Sequence, residues 1–263
     1  GKFRFVIAPD DTPYACTCPS CTAIGNTEKN ATPAVTELIL RLSQRFPRHF
    51  FFTTSYLTTQ QVTDKQLPPN AGVIVSAINF PLRRIDGKDA KEKAFAGQLE
   101  QWKNVTKNIY IWDYINNFDD YLTPMPILKI ARQRLQFFKQ HGASGIFFNG
   151  SGYSYSSFDE MRTFVLSALL INPELSVDNL TASFFNQEYP AAKKWLYDYY
   201  TDLENGTQSG KRLGIYASIR ESEKAYLTPE KFIKFYDEMN DFVSNAKGKE
   251  RKKLHELQTA LSY

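Results

Sequence analysis

An α/β fold of parallel strands alternating with helices, followed by a helical region, is the class this sequence predicts. Two observations carry that prediction. Five short runs of apolar, β-branched or aromatic residues recur over the first 150 positions, and helical patterns separate several of them. The last hundred residues then read as a succession of helices.

The runs are "FRFVIAP" (3–9), "HFFFTTSY" (49–56), "AGVIVSAI" (71–78), "NIYIWDYI" (108–115) and "SGIFFNG" (144–150). Most are nearly continuous in apolar character, as strands covered on both faces of a parallel sheet should be. After the first run, Val35, Leu38, Ile39, Leu42 and Phe46 recur at helical spacing. Thr32 is expected as that helix's N-cap, with Pro33 at its first helical position. The second and third runs are joined by the polar, proline-bearing "TTQQVTDKQLPPN", which has no clear helix. "AKEKAFAGQLEQWKNV" precedes the fourth run, and "PILKIARQRLQFFKQHG" precedes the fifth and closes on Gly142, a suitable C-cap.

Such alternation marks βαβ units. Five strands are too few for a closed eight-stranded barrel; they suit half of one, or an open sheet. The expectation is therefore a partial or complete TIM-barrel-like (β/α) region over 1–156, with a helical C-terminal region over 157–263 packed on it. Ser157 and Glu160 have capping-box spacing ahead of "FDEMRTFVLSALL", which Pro173 closes. Further helices are expected near 177–187, 190–204, 229–245 (opened by Thr228-Pro229) and 248–261.

Length and charge narrow the function classes. The 263 residues are ample for a core. A net charge of +4 is spread along the chain apart from "KGKERKK" near the end, which reads as a solvated helix face. A nucleic-acid partner would call for a concentrated basic stripe. No apolar segment approaches the ~18 residues of a spanning helix, so no membrane span is expected. The chain opens on a lone Gly followed almost at once by strand-like residues, as an excised piece of a longer polypeptide would. Other domains of that parent chain are expected partners.

In parallel α/β folds, ligands sit beyond the C-terminal ends of the strands. Those ends carry Asp10 and Asp11, then Ser55 and Tyr56, then Asn79, then Trp112, Asp113, Tyr114, Asn116 and Asn117, and finally Asn149. Acids and amides bond sugar hydroxyls, and aromatic faces stack on the apolar faces of pyranose rings, so a carbohydrate ligand is expected. Asp-Asp-Thr-Pro is also ordinary turn chemistry. The functional alternative splits the pair, one carboxylate orienting a substrate group and the other, desolvated, serving as general acid. Asp119–Asp120 lies deeper in a loop and suits capping. There is no glycine-rich phosphate loop, no G-x-S-x-G elbow and no His-Glu-x-x-His helix.

The cysteines all fall in "CTCPSC": Cys16, Cys18 and Cys21. That spacing brings three thiols within reach of one tetrahedral ion and would need a fourth ligand. His49 precedes a strand and His141 ends a helix, at the rim opposite the cysteines. A Cys18–Cys21 disulfide with a spare thiol, or three reduced thiols, are the other readings. No cofactor is expected beyond this candidate structural metal.

The ordered set "DD…CTCPSC", a strand ending in Tyr56, "NIYIWDY", "GASGIFFNG" and "LLINPE…FFNQEYPAAKKWLYDYY" resembles a bacterial family known as domain of unknown function 4838. The family is common in polysaccharide-degrading gut bacteria. The resemblance implies a glycosidase-type core within a secreted, periplasmic or cell-surface protein. "FVIAPDD" with "IYIWDYINNFDDY" is similar, more loosely, to O-GlcNAcase and hexosaminidase barrels. That similarity implies substrate-assisted hydrolysis, with Asp10 orienting the acetamido group and Asp11 protonating the leaving oxygen. Tyr56, Trp112, Asp113 and Asn117 would line the sugar pocket. The function so implied is glycoside hydrolysis of a complex carbohydrate. The alternative is a non-catalytic carbohydrate-binding or structural module of a larger surface protein.

Overall fold

The computed structural model describes residues 1–150, 156–207 and 210–262. Five strands, β1 (Arg4–Ile7), β2 (Phe50–Ser55), β3 (Ala71–Ser76), β4 (Ile109–Tyr114) and β5 (Gly145–Asn149), lie in one sheet in chain order. They are parallel and form a half-barrel, the partial alternative of the expected fold. The helices are α1 (Pro19–Ile24), α2 (Thr32–Arg45), α3 (Ala90–Lys103), α4 (Leu128–Gln140), α5 (Asp159–Ile171) and α6 (Val177–Glu188). After them come α7 (Lys193–Gly206), α8 (Ile219–Ala225), α9 (Pro229–Asn245) and α10 (Gly248–Leu261). Sequence periodicity missed α1 and α8, which are too short to display it. No helix among the described residues is long and apolar enough to cross a membrane.

Two caps differ from expectation. Thr32 is the first residue of α2, not its cap; Ala31 holds that place, and Asn30 Oδ1 accepts the Thr32 N–H at 3.0 Å. The Ser157 capping box does not form. Phe158 is the N-cap of α5 at φ +59°, and the Ser157 hydroxyl is buried without a partner among the described residues. The Phe158 ring packs among Phe185, Tyr199, Tyr200 and Phe235. Burying that ring outweighs a capping hydrogen bond worth about 1 kcal/mol.

The chain forms two compact units. The first comprises Gly1–Phe80, Gly87–Tyr114 and Phe138–Phe148; the second comprises Pro81–Asp86, Ile115–Phe137 and Asn149–Tyr263. In the second unit Trp195, Tyr199, Phe235 and Phe242 stack between α7 and α9, with Tyr199 and Phe235 centroids 3.6 Å apart.

In the first unit the sheet has two unlike faces. Successive side chains alternate, and parallel partners point the same way. Phe51, Ser55, Ala71, Val73, Val75, Ile109, Ile111 and Asp113 therefore share one face. It is closed: Ile39 of α2 packs on Phe51 and Ala71, and Trp102 and Gln98 of α3 both donate to the Ser55 hydroxyl, at 3.3 and 3.0 Å. The other face carries Phe52, Thr54, Gly72, Ile74, Ser76, Tyr110, Trp112, Gly145 and Phe147. Large rings there sit over missing side chains. Phe52 and Tyr110 meet edge to face at 5.0 Å, and a Cβ on Gly72 would lie 2.3 Å from the Asn108 carbonyl oxygen and 2.7 Å from the Phe52 ring. A Cβ on Gly145 would lie 2.1 Å from the Tyr110 ring. Rings over glycines fill the narrow end of a curled sheet, as in small barrels.

Gly72→Ala is therefore expected to destabilise the protein by about 1–3 kcal/mol, because a backbone carbonyl cannot swing aside. Gly97, exposed in α3 with open space around its Cβ position, is the control. Gly97→Ala should stabilise by about 0.5–1 kcal/mol. Urea unfolding midpoints measure both; a neutral Gly72→Ala would mean that the ring-over-glycine packing is not tight. At the sheet's outer edge, β1 leaves Phe3, Phe5 and Val6 exposed.

Candidate functional site

Three strand ends meet on the open face of the first unit. Ser55 lies opposite Val75, and Ser76 opposite Trp112, so Tyr56, Ser76 and Trp112 form one row across β2, β3 and β4. Rings two strands apart start about 9.5 Å from each other. The small Ser76 between them lets Tyr56 and Trp112 lean together to 6.3 Å between centroids. Two residues along β4, Tyr114 stacks on Trp112 at 5.9 Å and 14° between planes, with its hydroxyl 3.5 Å from Ser76 Oγ. Phe147 of β5, 59% exposed, comes within 6.4 Å of Trp112. The Trp112 indole N–H has no acceptor among the described residues. Tyr56 and Trp112 are half-buried and Phe147 is exposed, while Tyr114 is buried and backs the Trp112 ring, on the face that no helix of the first unit closes.

Of the residues expected from sequence, the structure brings Tyr56, Trp112 and Tyr114 together and adds Phe147. Strand alternation could have found Phe147, since it lies two residues beyond Gly145 on the same face. Asp113 is elsewhere. It points to the helix-covered face, is 0% exposed, and its Oδ1 accepts the Tyr114 N–H at 2.8 Å. Asn79 is exposed in the turn after β3.

Asn117 and Asn149 belong to the second unit. Asn117 is buried: Nδ2 donates to the Ala217 carbonyl at 2.7 Å and Oδ1 accepts the Ala217 N–H at 3.0 Å. It clamps two chain segments a hundred residues apart. Beside it, the Arg162 guanidinium donates to the Ile115 carbonyl at 2.9 Å and to Asn116 Oδ1. Asn149 is half-buried, and its carbonyl accepts the Ile115 N–H at 3.2 Å.

Asp10 and Asp11 follow β1 at the same end of the sheet as Tyr56. Both are exposed, in a bend where the Thr12 N–H donates to the Asp10 carbonyl at 2.8 Å. The enclosed Asp11 of the general-acid reading is not what this arrangement presents; any desolvation has to come with a bound ligand.

Farther along the same segment, the sulfur atoms of Cys16, Cys18 and Cys21 all lie within 4.8 Å of one another, and none is in a disulfide. The Cys21 backbone N–H and thiol hydrogen-bond Cys18 and lower its pKa. Cys21 is pushed up in turn to about 11, chiefly by its side-chain hydrogen bond with Cys18. His49 is far from them in the fold: its Nδ1 accepts the Phe3 N–H at 3.3 Å, at the start of β1.

The chain matches the family described as "Domain of unknown function (DUF4838)" over residues 3–202. No curated protein matches it. The match takes in the whole half-barrel, the cysteine segment and most of α7, and by it the chain belongs to the DUF4838 family.

Proposed function

We propose that this protein recognises a carbohydrate in the manner of a glycosidase barrel, on the open face of its sheet. One observation carries the reading: the surface of Tyr56, Trp112 and Phe147, backed by the buried Tyr114, at the C-terminal end of the strands. Pyranose rings present flat C–H faces that stack on aromatic faces, and their hydroxyls take the polar groups around the edge. The exposed turn residue Asn79 after β3 and the exposed acids Asp10 and Asp11 after β1 would supply such groups at the same end of the sheet. Asp113 and Asn117 act through structure, the first beneath the sheet and the second within its own clamp.

The test is binding to polysaccharides by affinity electrophoresis and glycan array, followed by titration calorimetry on a ligand so found. Phe147→Ala is expected to weaken binding about tenfold and Trp112→Ala about a hundredfold, from about 1–3 kcal/mol per stacked ring. Circular dichroism and melting should be unchanged for Phe147→Ala, whose ring is exposed. Binding indifferent to both substitutions would remove the proposal.

A second reading is hydrolysis, favoured by the placement of Asp10 and Asp11 on the ligand-binding end of β1. In it the carbohydrate is a glycoside of a complex polysaccharide. Asp10 then orients a substrate group and Asp11 protonates the departing oxygen.

A further inference from the structure

The segment between β1 and α2 poses a question that the carbohydrate reading does not answer. Residues 10–25 bury no side chain, and α1 is six residues long with none of them buried. A helix that short is unstable alone, and here no fully buried side chain anchors it. Its fixed points are hydrogen bonds around one buried amide. Asn26 Nδ2 donates to the Cys16 carbonyl at 3.1 Å, its backbone N–H donates to the Cys21 carbonyl at 3.0 Å, and its Oδ1 accepts the Ala34 N–H of α2 at 3.0 Å. Thr22 adds a bond from its hydroxyl to the Thr17 carbonyl at 3.2 Å. These bonds hold the backbone of the first and last cysteine, and so aim the thiols at a common point.

We propose that Cys16, Cys18 and Cys21 bind one thiophilic divalent cation of the zinc class, which fastens this segment to the end of β1. Three sulfurs on a tetrahedral ion with bonds of about 2.3 Å stand about 3.8 Å apart. Sulfurs already within 4.8 Å of one another need only a small closure. A disulfide would consume two thiols and leave the third convergent on nothing. As each sulfur–metal bond forms, its thiol gives up a proton to solvent, three in all. No histidine, aspartate or glutamate among the described residues joins the three sulfurs. The fourth position is therefore open, to water or to a donor outside the described residues. With Cys16 and Cys18 exposed, that position faces solvent. The ion does for residues 10–25 what a core does elsewhere, converting binding free energy into local folding.

The experiment is elemental analysis of the full chain purified under reducing conditions and supplied with zinc. One equivalent of metal per chain is expected. Cobalt in its place should give thiolate-to-metal charge-transfer absorption with tetrahedral d–d bands. Cys18→Ser should lose the metal, and Ser20→Ala, in the same segment, should keep it. Because a cysteine variant can misfold, the wild-type protein treated with a chelator is the second measurement. Far-ultraviolet circular dichroism should persist while hydrogen exchange of residues 10–25 speeds up and three thiols become reactive to Ellman's reagent. A reduced, metal-supplied protein that holds no stoichiometric metal overturns the proposal. So does a Cys16/Cys18/Cys21 triple serine variant that binds as much metal as the wild type. Neither result depends on carbohydrate binding.

Discussion

Glu204→Ala is expected to cost about 3–5 kcal/mol of stability, the largest loss we expect from a single side chain in the second unit. Glu204 lies on α7, is 1% exposed, and reaches the first turn of α4. Its two oxygens accept the Leu128 and Lys129 N–H groups at 2.8 and 3.0 Å. Those are donors that a helix leaves unpaired at its N-terminus, where a negative charge is also favourable. Alanine would strand both N–H groups in a dry site and leave a cavity. Lys129, tied to Asp178 at 3.1 Å and to Asn205 at 3.0 Å, would lose the frame that places it.

Burial raises the Glu204 pKa above its ordinary value of 4.5, outweighing the two backbone hydrogen bonds that lower it. A carboxyl that holds its proton more tightly when folded contributes most below its unfolded pKa. That contribution is lost as the pH rises through the folded value. The deficit of Glu204→Ala should thus be widest at acid pH and narrow above pH 4.5. Glu204→Gln, which keeps one acceptor, should fall between wild type and alanine. Urea unfolding at several pH values reads all three; a deficit that grows with pH would show that the hydrogen bonds, not burial, govern the carboxyl.

The sheet is legible because its strands are nearly continuous apolar runs, even though β1 and β5 are largely uncovered, and every such run is a strand. Helices longer than three turns were legible for the same reason, through their period. What the sequence could not supply was register. "YIWDY" states that Trp112 and Tyr114 share a face and that Asp113 takes the other. Only the pairing with β3, and the packing of α3 against Ser55, shows which of the two faces is closed. By sequence alone Asp113 therefore groups with the sugar-binding side chains, although it lies under the sheet. The Asn117 clamp is hidden for a related reason: its partner, Ala217, lies a hundred residues away, and no local pattern signals a side chain bonded to a distant backbone. The Gly72 and Gly145 positions are equally silent, since a glycine in a strand does not announce which ring will cover it. The Ser157–Glu160 box shows the opposite failure, a correct local signal overridden by tertiary burial of the neighbouring Phe158.

If the protein hydrolyses glycosides, Asp11→Asn is expected to lower kcat by about 10²–10⁴-fold, the range of a lost general acid. KM should change little, because the rings that hold the sugar are untouched. The expectation follows from position. Asp11 is exposed beyond the end of β1, at the same end of the sheet as Tyr56. Asp113→Asn separates this from mere proximity to the site. A fully buried carboxylate beneath the sheet should cost stability first, with turnover falling only in proportion to the folded fraction. Phe147→Ala should do the reverse of Asp11→Asn, raising KM at nearly constant kcat. Turnover of aryl glycosides, including a 2-acetamido sugar, checks the set. An Asp11→Asn protein as active as wild type would remove the acid from the mechanism and leave the aromatic surface as a binding site alone.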